Sequence, residues 1–486
     1  MIIRAAERGA RWLIEAWRQL SLDAKVIGAV ALGNWLLLFA NHTTVAATSD
    51  ETLWRLFPWP ASAAFLAVTG LVAAAYPWRD RRAGSGFTPR DRALHLAAIV
   101  AVFVVVPTLA SIVLRETGKP YTYVHDGAIM IEEAARKLLA GHNPYAADYL
   151  NTPLYYWPMV NNPALYHLTY FPLLFLITAP FVALFDRLGV FWDQRYLYLP
   201  AFVATLAVLP LVIPAGPDAW RRRLAIVALV GLNPQLFPFV VEGRNDFFVL
   251  LFFFVGIALL QRDRRTLGSL AIAAAAATKL HAVVLLPFLA VYLVATRRPR
   301  TIGQAIAALR PAIPAAVLLA ATFIPFLVND FPAFYDDVVR YNAGGAAWTY
   351  PISGMGFSAL LLSLGIIPYR QADFPFAAVE IAVALPIALF MAARLWREPT
   401  IPRMLGGYAL TLLAFLFFGR YFQGNYLGYI LALATPIPFL TMRRARRPAR
   451  RAARRPIAPV PSAQPSAPPI TQPLGQVAAA EARSIE

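Results

Sequence analysis

The chain has 486 residues, of which 59% are hydrophobic and only 14% are charged. A soluble chain carries about 25% charged residues and, at this length, divides into several cores with polar surfaces. The composition therefore excludes an ordinary soluble enzyme. The absence of cysteine excludes a disulfide framework and a thiolate zinc site.

Apolar runs recur along almost the whole chain. A helix that spans a bilayer needs about 20 mostly apolar residues, and Pro and Gly within the runs, without strand-like alternation, favour helices over a barrel. The sequence predicts an all-α polytopic membrane protein with about twelve transmembrane helices. The predicted spans lie near 24–42, 61–77, 93–114, 196–214, 224–240, 246–261, 267–281, 282–296, 311–328, 376–394, 404–419 and 425–441.

The basic residues are distributed unevenly about these spans. With a cytoplasmic N-terminus, 32 of the 44 Lys and Arg residues fall on the inner side. Cytoplasmic loops of membrane proteins carry an excess of Lys and Arg, so both termini are expected in the cytoplasm, in a bacterial inner membrane. This topology also accounts for the net charge of +18 without a nucleic-acid partner.

Three regions follow from this pattern. Residues 1–92 hold a basic amphipathic helix and two transmembrane helices. Residues 93–441 form the transmembrane core, with outer loops at 115–195 and 329–375 and surface helices in the first loop. Residues 442–486 form a tail that is rich in Arg and then in Pro and Ala. The Arg cluster suits anionic lipid headgroups, or it simply anchors the topology.

The first outer loop contains a predicted helix from about Gly127 to Ala140. Gly141 is placed to end it in the left-handed conformation, and Pro144 lies just beyond. Asp126 precedes the helix, where a carboxylate either caps the first turn or acts as a general base at the membrane surface.

Two acids on this helix have cations four residues further on. Glu132 faces Arg136 and Glu133 faces Lys137, a spacing typical of solvated ion pairs. Asp126 lacks such a neighbour, which leaves it as the candidate acid of this loop.

The arrangement resembles the GT-C superfamily of membrane glycosyltransferases, and specifically glycosyltransferase family 87, whose members use polyprenol-phosphate-mannose. The likeness covers roughly 93–441. It rests on an early acid in the first large outer loop, a Gly-x-x-Pro-Tyr turn, an aromatic-Pro-Leu helix start, an Asn-Pro turn, an Asn-Asp span start and a Lys between two short helices. In this chain these are Asp126, Gly141, Asn143, Pro144, Tyr145, Tyr170, Phe171, Pro172, Leu173, Asn233, Pro234, Asn245, Asp246 and Lys279.

The chain departs from that family in two places. Asp126 follows the third predicted span, whereas the family acid usually follows the first, and two additional N-terminal spans account for this. Arg244 stands where many members have Gln.

The resemblance implies a hexosyltransferase that moves a sugar, such as mannose, from a polyprenyl phosphate to a lipid or glycan acceptor on the outer side of the membrane. Asp126 would be the catalytic base. The alternative is a transporter or flippase of a lipid-linked saccharide, although transporters usually show a two-fold repeat that this sequence lacks.

The leaving polyprenyl phosphate needs fixed cations or donors. Of the four lysines, Lys279 is the only one predicted within the spans of the core 93–441, where an ionisable residue indicates function unless it reaches to the interface. His281 is a second candidate, or else a hydrogen-bonded core histidine. Further candidates for phosphate and sugar binding are Arg244, Asn245, Arg340, Tyr341, Arg420, Gln423 and Asn425. The alternative is a helix cap for the first two, an ordinary loop for the next two, and an interfacial aromatic belt with one anchoring Arg for the last three.

The sequence predicts neither a metal site nor a cofactor. No two of its six histidines are four residues apart, although acids such as Asp126 leave a divalent ion open.

Overall fold

The structure is a computed structural model that describes residues 14–45, 61–82, 86–159 and 162–445. The chain divides into two compact units, Met1–Arg443 and Arg444–Glu486, and the helical bundle lies in the first. The predicted amphipathic N-terminal helix and the Pro/Ala-rich tail lie largely outside the described residues.

The fold is predominantly helical, with 74% helix and almost no strand. A π-helical turn at Ala101–Val105 interrupts α3 just before Pro107, which has no N–H to continue the α-helical ladder. The helices are α1 (Leu22–Val45), α2 (Ala61–Arg82), α3 (Pro89–Thr117), α4 (Asp126–Leu139), α5 (Pro172–Leu188), α6 (Arg195–Val212), α7 (Ala219–Gly231), α8 (Phe237–Glu242), α9 (Asp246–Gln261), α10 (Arg265–Ala276), α11 (Leu280–Ala295), α12 (Ile302–Asn329), α13 (331–343), α14 (Phe357–Ser363), α15 (Phe376–Arg397), α16 (Ile401–Phe417), α17 (Gly424–Ala434) and α18 (Pro436–Ala445). Two strands, β1 (Ser353–Gly354) and β2 (Tyr421–Phe422), pair in parallel.

Six of the helices in the described part of the chain are long and apolar enough to cross a membrane. They are α1, α2, α3, α6, α12 and α15. Four more, α9, α10, α11 and α16, are apolar but shorter. The chain therefore has the helices of a membrane protein, and the number twelve stays a prediction.

The helices pack as neighbours in a bundle. α9 lies between α6 and α10, α15 pairs with α16, and α1 packs on α2 and α7. Gly256 and Gly268 lie where α9 meets α10, and a Cβ at Gly256 would come within 2.7 Å of Ile272. Small residues allow helices to approach closely in membranes, which explains this tight pair.

The predicted helix of the first outer loop is confirmed. α4 begins and ends one residue earlier than the sequence predicted. Gly141 has a φ of +80°, in the left-handed region, and the N–H of His142 donates to the carbonyl of Lys137 at 2.9 Å, which closes the helix end as expected. The apolar segment after Tyr170 also forms a helix, α5.

The predicted solvated pair of Glu132 with Arg136 is wrong. Glu132 is buried, and its carboxylate receives both terminal nitrogens of Arg115, at 2.7 and 2.8 Å. Arg115 also reaches Asp193 at 2.9 Å, and Asp193 in turn pairs with Arg195. All four side chains are at most 3% exposed. The network joins the end of α3, the middle of α4 and the start of α6.

The second predicted pair is also wrong. Glu133 receives a hydrogen bond from Arg136, three residues on, at 2.8 Å. Lys137 lies over the ring of Tyr149 instead, 5.4 Å from its centroid. The spacing of charges on one helix did not predict these partners, because the face of α4 that carries Glu132 is buried rather than solvated.

Candidate functional site

One cavity of about 350 Å³ lies where several helix ends converge. Its walls come from the start of α4, the α8–α9 and α10–α11 junctions, α13, α15, and the segment between α16 and α17. We call it the main cavity. Its polar lining comprises His125, Thr169, Tyr170, Arg244, Asn245, Lys279, His281, Asn342, Glu380, Arg420, Tyr421, Gln423, Asn425 and Tyr426.

Asp126 begins α4 directly beside this lining. Its Oδ1 atom lies 2.7 Å from Nδ1 of His125 and accepts a hydrogen bond of 2.6 Å from the N–H of Gly127. The cap position itself belongs to His125, whose Nδ1 lies 3.0 Å from the backbone nitrogen of Gly127. Asp126 is therefore the first helical residue. The alternative prediction, that Asp126 is the N-terminal cap of this helix, is wrong.

The charge state of Asp126 suits a base. Burial raises the pKa of this carboxyl, but the His125 ring, the Arg244 guanidinium and the Gly127 N–H together outweigh burial. The pKa of Asp126 therefore lies below its ordinary value, and the side chain is ionised at neutral pH.

Arg244 connects the two sides of the polar wall. Its Nε donates to Glu242 at 2.9 Å, and one terminal nitrogen donates to Gln423 at 2.8 Å and to Asn425 at 3.3 Å. The guanidinium also lies over the ring of Phe239, 4.2 Å from its centroid. A cation is thus fixed at the cavity wall, with two amide side chains oriented around it.

Lys279 is not the free cation that the sequence predicted. Its Nζ donates to Asp246 at 2.7 Å, because Lys279 is extended between α10 and α11 and Asp246 is the first residue of α9. The second oxygen of Asp246 accepts from Asn425 at 3.0 Å. An incoming phosphate would share Lys279 with this carboxylate.

His281 lies next to this pair on α11. Its ring contacts the ring of Tyr429, with centroids 4.4 Å apart, and Nε2 is a buried atom with no hydrogen-bond partner among the described residues. A buried polar atom without a partner is costly, so Nε2 remains available to a ligand.

Arg420 lines the cavity, but its guanidinium is already engaged. It donates to the carbonyls of Tyr350, Ala372 and Arg370 at 2.6, 3.1 and 3.2 Å, and the residue is 1% exposed. These bonds tie the segment 350–372 to the start of β2. Arg420 therefore links these segments, and its predicted role in phosphate binding stays a prediction.

We expect Arg420→Lys to destabilise the protein although it keeps the charge. An ammonium cannot reproduce the fork of donors that reaches three carbonyls, and hydrogen bonds from charged groups contribute about 1.5–3 kcal/mol each. Arg370→Lys is the control, because the Arg370 side chain is exposed. The melting temperature of Arg420→Lys should fall well below that of Arg370→Lys. Equal melting temperatures for the two variants would show that these hydrogen bonds contribute little to stability.

Some of the remaining predicted site residues line the main cavity and others do not. Asn245, Gln423 and Asn425 line the main cavity as proposed. Arg340 does not line it, since its guanidinium bonds Asp336 and the carbonyl of Gly345 on the exposed side. Tyr341 is buried beneath the surface of the outer loop, with its ring 5.0 Å from that of His167. Neither Arg340 nor Tyr341 is therefore part of the lining of the main cavity, and their binding roles stay predictions.

Sequence reasoning missed several lining residues, and two of them bear directly on the site. Tyr170 was noted only as a helix-start motif, yet its hydroxyl lies so close to Gly127 that a Cβ there would clash with it, so Gly127 is needed. Glu380 was not noted at all. It lies in α15, an apolar helix, and a lone acid within such a helix is the signal that could have identified it.

One group in the described part of the chain could hold a metal ion, contrary to the expectation of none. It consists of His167, Asp336 and Asp337, whose ligand atoms lie within 4.8 Å of one another. Nδ1 of His167 is 2.8 Å from Asp337 and Nε2 is 2.5 Å from the carbonyl of Ala347. As they stand, these contacts hold the loop after α13 against the first outer loop.

No protein-family model matches this chain, and no curated protein sequence matches it. Function therefore has to be argued from the site itself.

Proposed function

We propose that this protein is a membrane glycosyltransferase of the GT-C type. It would transfer a hexose, such as mannose, from a polyprenyl phosphate to a lipid or glycan acceptor at the outer face of a bacterial inner membrane. Both termini would lie in the cytoplasm, as the distribution of basic residues indicates.

The observation that carries this proposal is the mixed polar and apolar lining of the main cavity. Four of its polar side chains, those of Arg244, Asn245, Gln423 and Asn425, are donors and acceptors that suit phosphate oxygens and sugar hydroxyls. Its apolar side chains suit a lipid chain, and they include Leu280, Val338, Val339, Ala377, Ile381, Phe415 and Leu416. Glu380 on α15 is the one acid among the described residues of this lining. A lipid-linked sugar also combines a polar and an apolar part.

The proposed reaction is a substitution at the anomeric carbon. The acceptor hydroxyl attacks this carbon while Asp126 removes its proton, and the bond from the anomeric carbon to the phosphate oxygen breaks. The polyprenyl phosphate leaves with that electron pair. Arg244, fixed in place before the reaction, stabilises the charge that develops on the leaving oxygen.

The purified protein, incubated with synthetic polyprenyl-phosphate sugars and short lipid or glycan acceptors, should release polyprenyl phosphate and form a glycosylated acceptor. Product is followed by mass spectrometry. A transporter would instead move the intact donor between the leaflets of a vesicle without chemistry. Donor movement without phosphate release, beside a working transferase control, would overturn the proposal.

A substitution of Lys279 separates a role in donor binding from the ion pair. Lys279→Met should lower stability, because Asp246 is left as a buried unpaired charge, and should also raise KM for the donor. In the double variant Lys279→Met/Asp246→Asn, the amide can still accept from Asn425, so stability should recover.

The KM of the double variant decides between the two roles. We expect it to stay raised, because no ammonium remains to meet the phosphate. A double variant with the donor KM of the unmodified protein would show that Lys279 serves only Asp246.

A further inference from the structure

A second cavity lies at the opposite end of α9 from the main cavity. Asp246, the first residue of α9, bonds residues that line the main cavity, and Gln261, its last residue, lines the second. The 16 residues of α9 extend roughly 24 Å at 1.5 Å per residue. This length approaches the ~30 Å of a hydrocarbon core, so the two cavities face opposite sides of the bundle.

The second cavity measures about 760 Å³ and has basic and polar side chains in its wall. Nε of Arg223 and Nε2 of Gln261 are buried and have no hydrogen-bond partner within the described ranges. Arg262, also in the wall, donates to its own helix at the Ala258 carbonyl. Buried donors without acceptors are unfavourable, and here two of them lie in one cavity.

The charge at this cavity is positive. Asp263 is its one acidic lining residue, and the Asp263 carboxylate accepts from Nε of Arg265 at 2.7 Å. Arg223 and Arg262 are therefore not neutralised within the wall.

Apolar side chains complete the wall beside these donors. They are Leu211 in the last turn of α6, Ile213 just after it, Ile401 at the start of α16, and Leu440 in α18. A ligand with an anionic group and an adjoining apolar part matches both halves.

We propose that the second cavity binds a phosphate group, with Arg223, Gln261 and Arg262 as its donors. The phosphate group could belong to an anionic phospholipid or to free phosphate. The proposed site is separate from the main cavity and does not depend on the transferase reaction proposed there. Arg side chains bind phosphate through paired, charge-assisted hydrogen bonds, which is what the unpartnered guanidinium of Arg223 offers.

The test uses the full chain, stripped of lipid in a neutral detergent. Thermal melting is followed while phosphatidylglycerol, phosphatidylcholine or inorganic phosphate is added. Phosphatidylglycerol should raise the melting temperature, and phosphatidylcholine should not, because its choline cation meets the two arginines. Arg223→Gln should weaken phosphatidylglycerol binding about tenfold or more.

Arg300→Gln is the matched control, since it removes one exposed basic side chain outside the cavity and should leave the affinity unchanged. If Arg223→Gln does not fold, Gln261→Glu tests the same site by placing a carboxylate among the donors, and it should abolish binding.

The outcomes identify the source of the phosphate. Competition by inorganic phosphate at millimolar concentration, lost in Arg223→Gln, supports the site with free phosphate as its ligand. Stabilisation by phosphatidylglycerol alone, lost in the same variant, supports a lipid headgroup. Equal lipid affinity in Arg223→Gln and Arg300→Gln would overturn the proposal.

Discussion

Asp126→Asn should abolish detectable sugar transfer while the protein stays folded. General-base assistance contributes typically 10²–10⁴-fold, and an amide cannot accept the proton of the acceptor hydroxyl. Asn keeps the oxygen that accepts from the N–H of Gly127, and Arg244 keeps Glu242 as its partner. We therefore expect a fall in kcat by at least 10²-fold, with donor KM and melting temperature nearly unchanged.

Asp148→Asn is the matched control for this substitution. Asp148 lies in the same outer loop, is exposed, and accepts only from the nearby N–H of Leu150 in the described structure. Its replacement should leave transfer intact. Near-full activity in Asp126→Asn would show that the base lies elsewhere, with Glu133 or Asp336 as the next candidates.

The pH dependence gives a second readout for the same residue. The pKa of Asp126 lies below its ordinary value because the His125 ring, the Arg244 cation and the Gly127 N–H outweigh the effect of burial. The ionised form is therefore favoured in the folded protein, and its stabilising contribution is lost only as pH falls through that lowered value. Transfer should hold its rate from pH 7 down to about 5.

Local patterns in the sequence predicted local structure well. The end of α4 at Gly141 follows from one residue's freedom to adopt positive φ, and the apolar runs predicted the long helices. Asn245, Gln423 and Asn425 were singled out because they stand in polar clusters at the ends of apolar spans, and they do line one cavity.

Partners distant in the sequence could not be predicted in this way. Glu132 has a cation four residues on, yet it pairs with Arg115 and receives the N–H of Gln194. Lys279 and Asp246 are 33 residues apart, and Arg420 finds its acceptors up to 70 residues away. In each case the partner belongs to another element that tertiary packing brings close, and a single sequence does not show which elements will meet.

The candidate site could be predicted only in part, for the same reason. Asp126 was identified from a missing neighbour and from a resemblance, but its environment depends on Arg244 and on Tyr170, which arrive from other elements. Glu380 escaped notice because it stands alone in an apolar helix, where no motif surrounds it. Tertiary contacts, rather than residue types, decide which of the charged groups are free to meet a ligand.

Arg115→Met should destabilise the protein severely. It leaves Glu132 without its cation and Asp193 with Arg195 alone, at positions that are at most 3% exposed. Removing one partner of a buried ion pair costs roughly 3–5 kcal/mol. The free energy of unfolding, measured by titrating a denaturing detergent into mixed micelles, should fall by about that amount.

Arg136→Met provides the comparison within the same loop. Arg136 pairs with Glu133 and Asp186 near the surface, with 35% of its side chain exposed, and such pairs contribute about 0–1 kcal/mol.

The double variant Arg115→Met/Glu132→Gln should recover much of the lost stability, because Gln still accepts from the N–H of Gln194 without a buried charge. Because the Arg115 network fixes α4, Arg115→Met should also misplace Asp126 and reduce transfer, and the double variant should restore both together. Equal losses for Arg115→Met and Arg136→Met would mean that the network is solvated and does not hold the base in place.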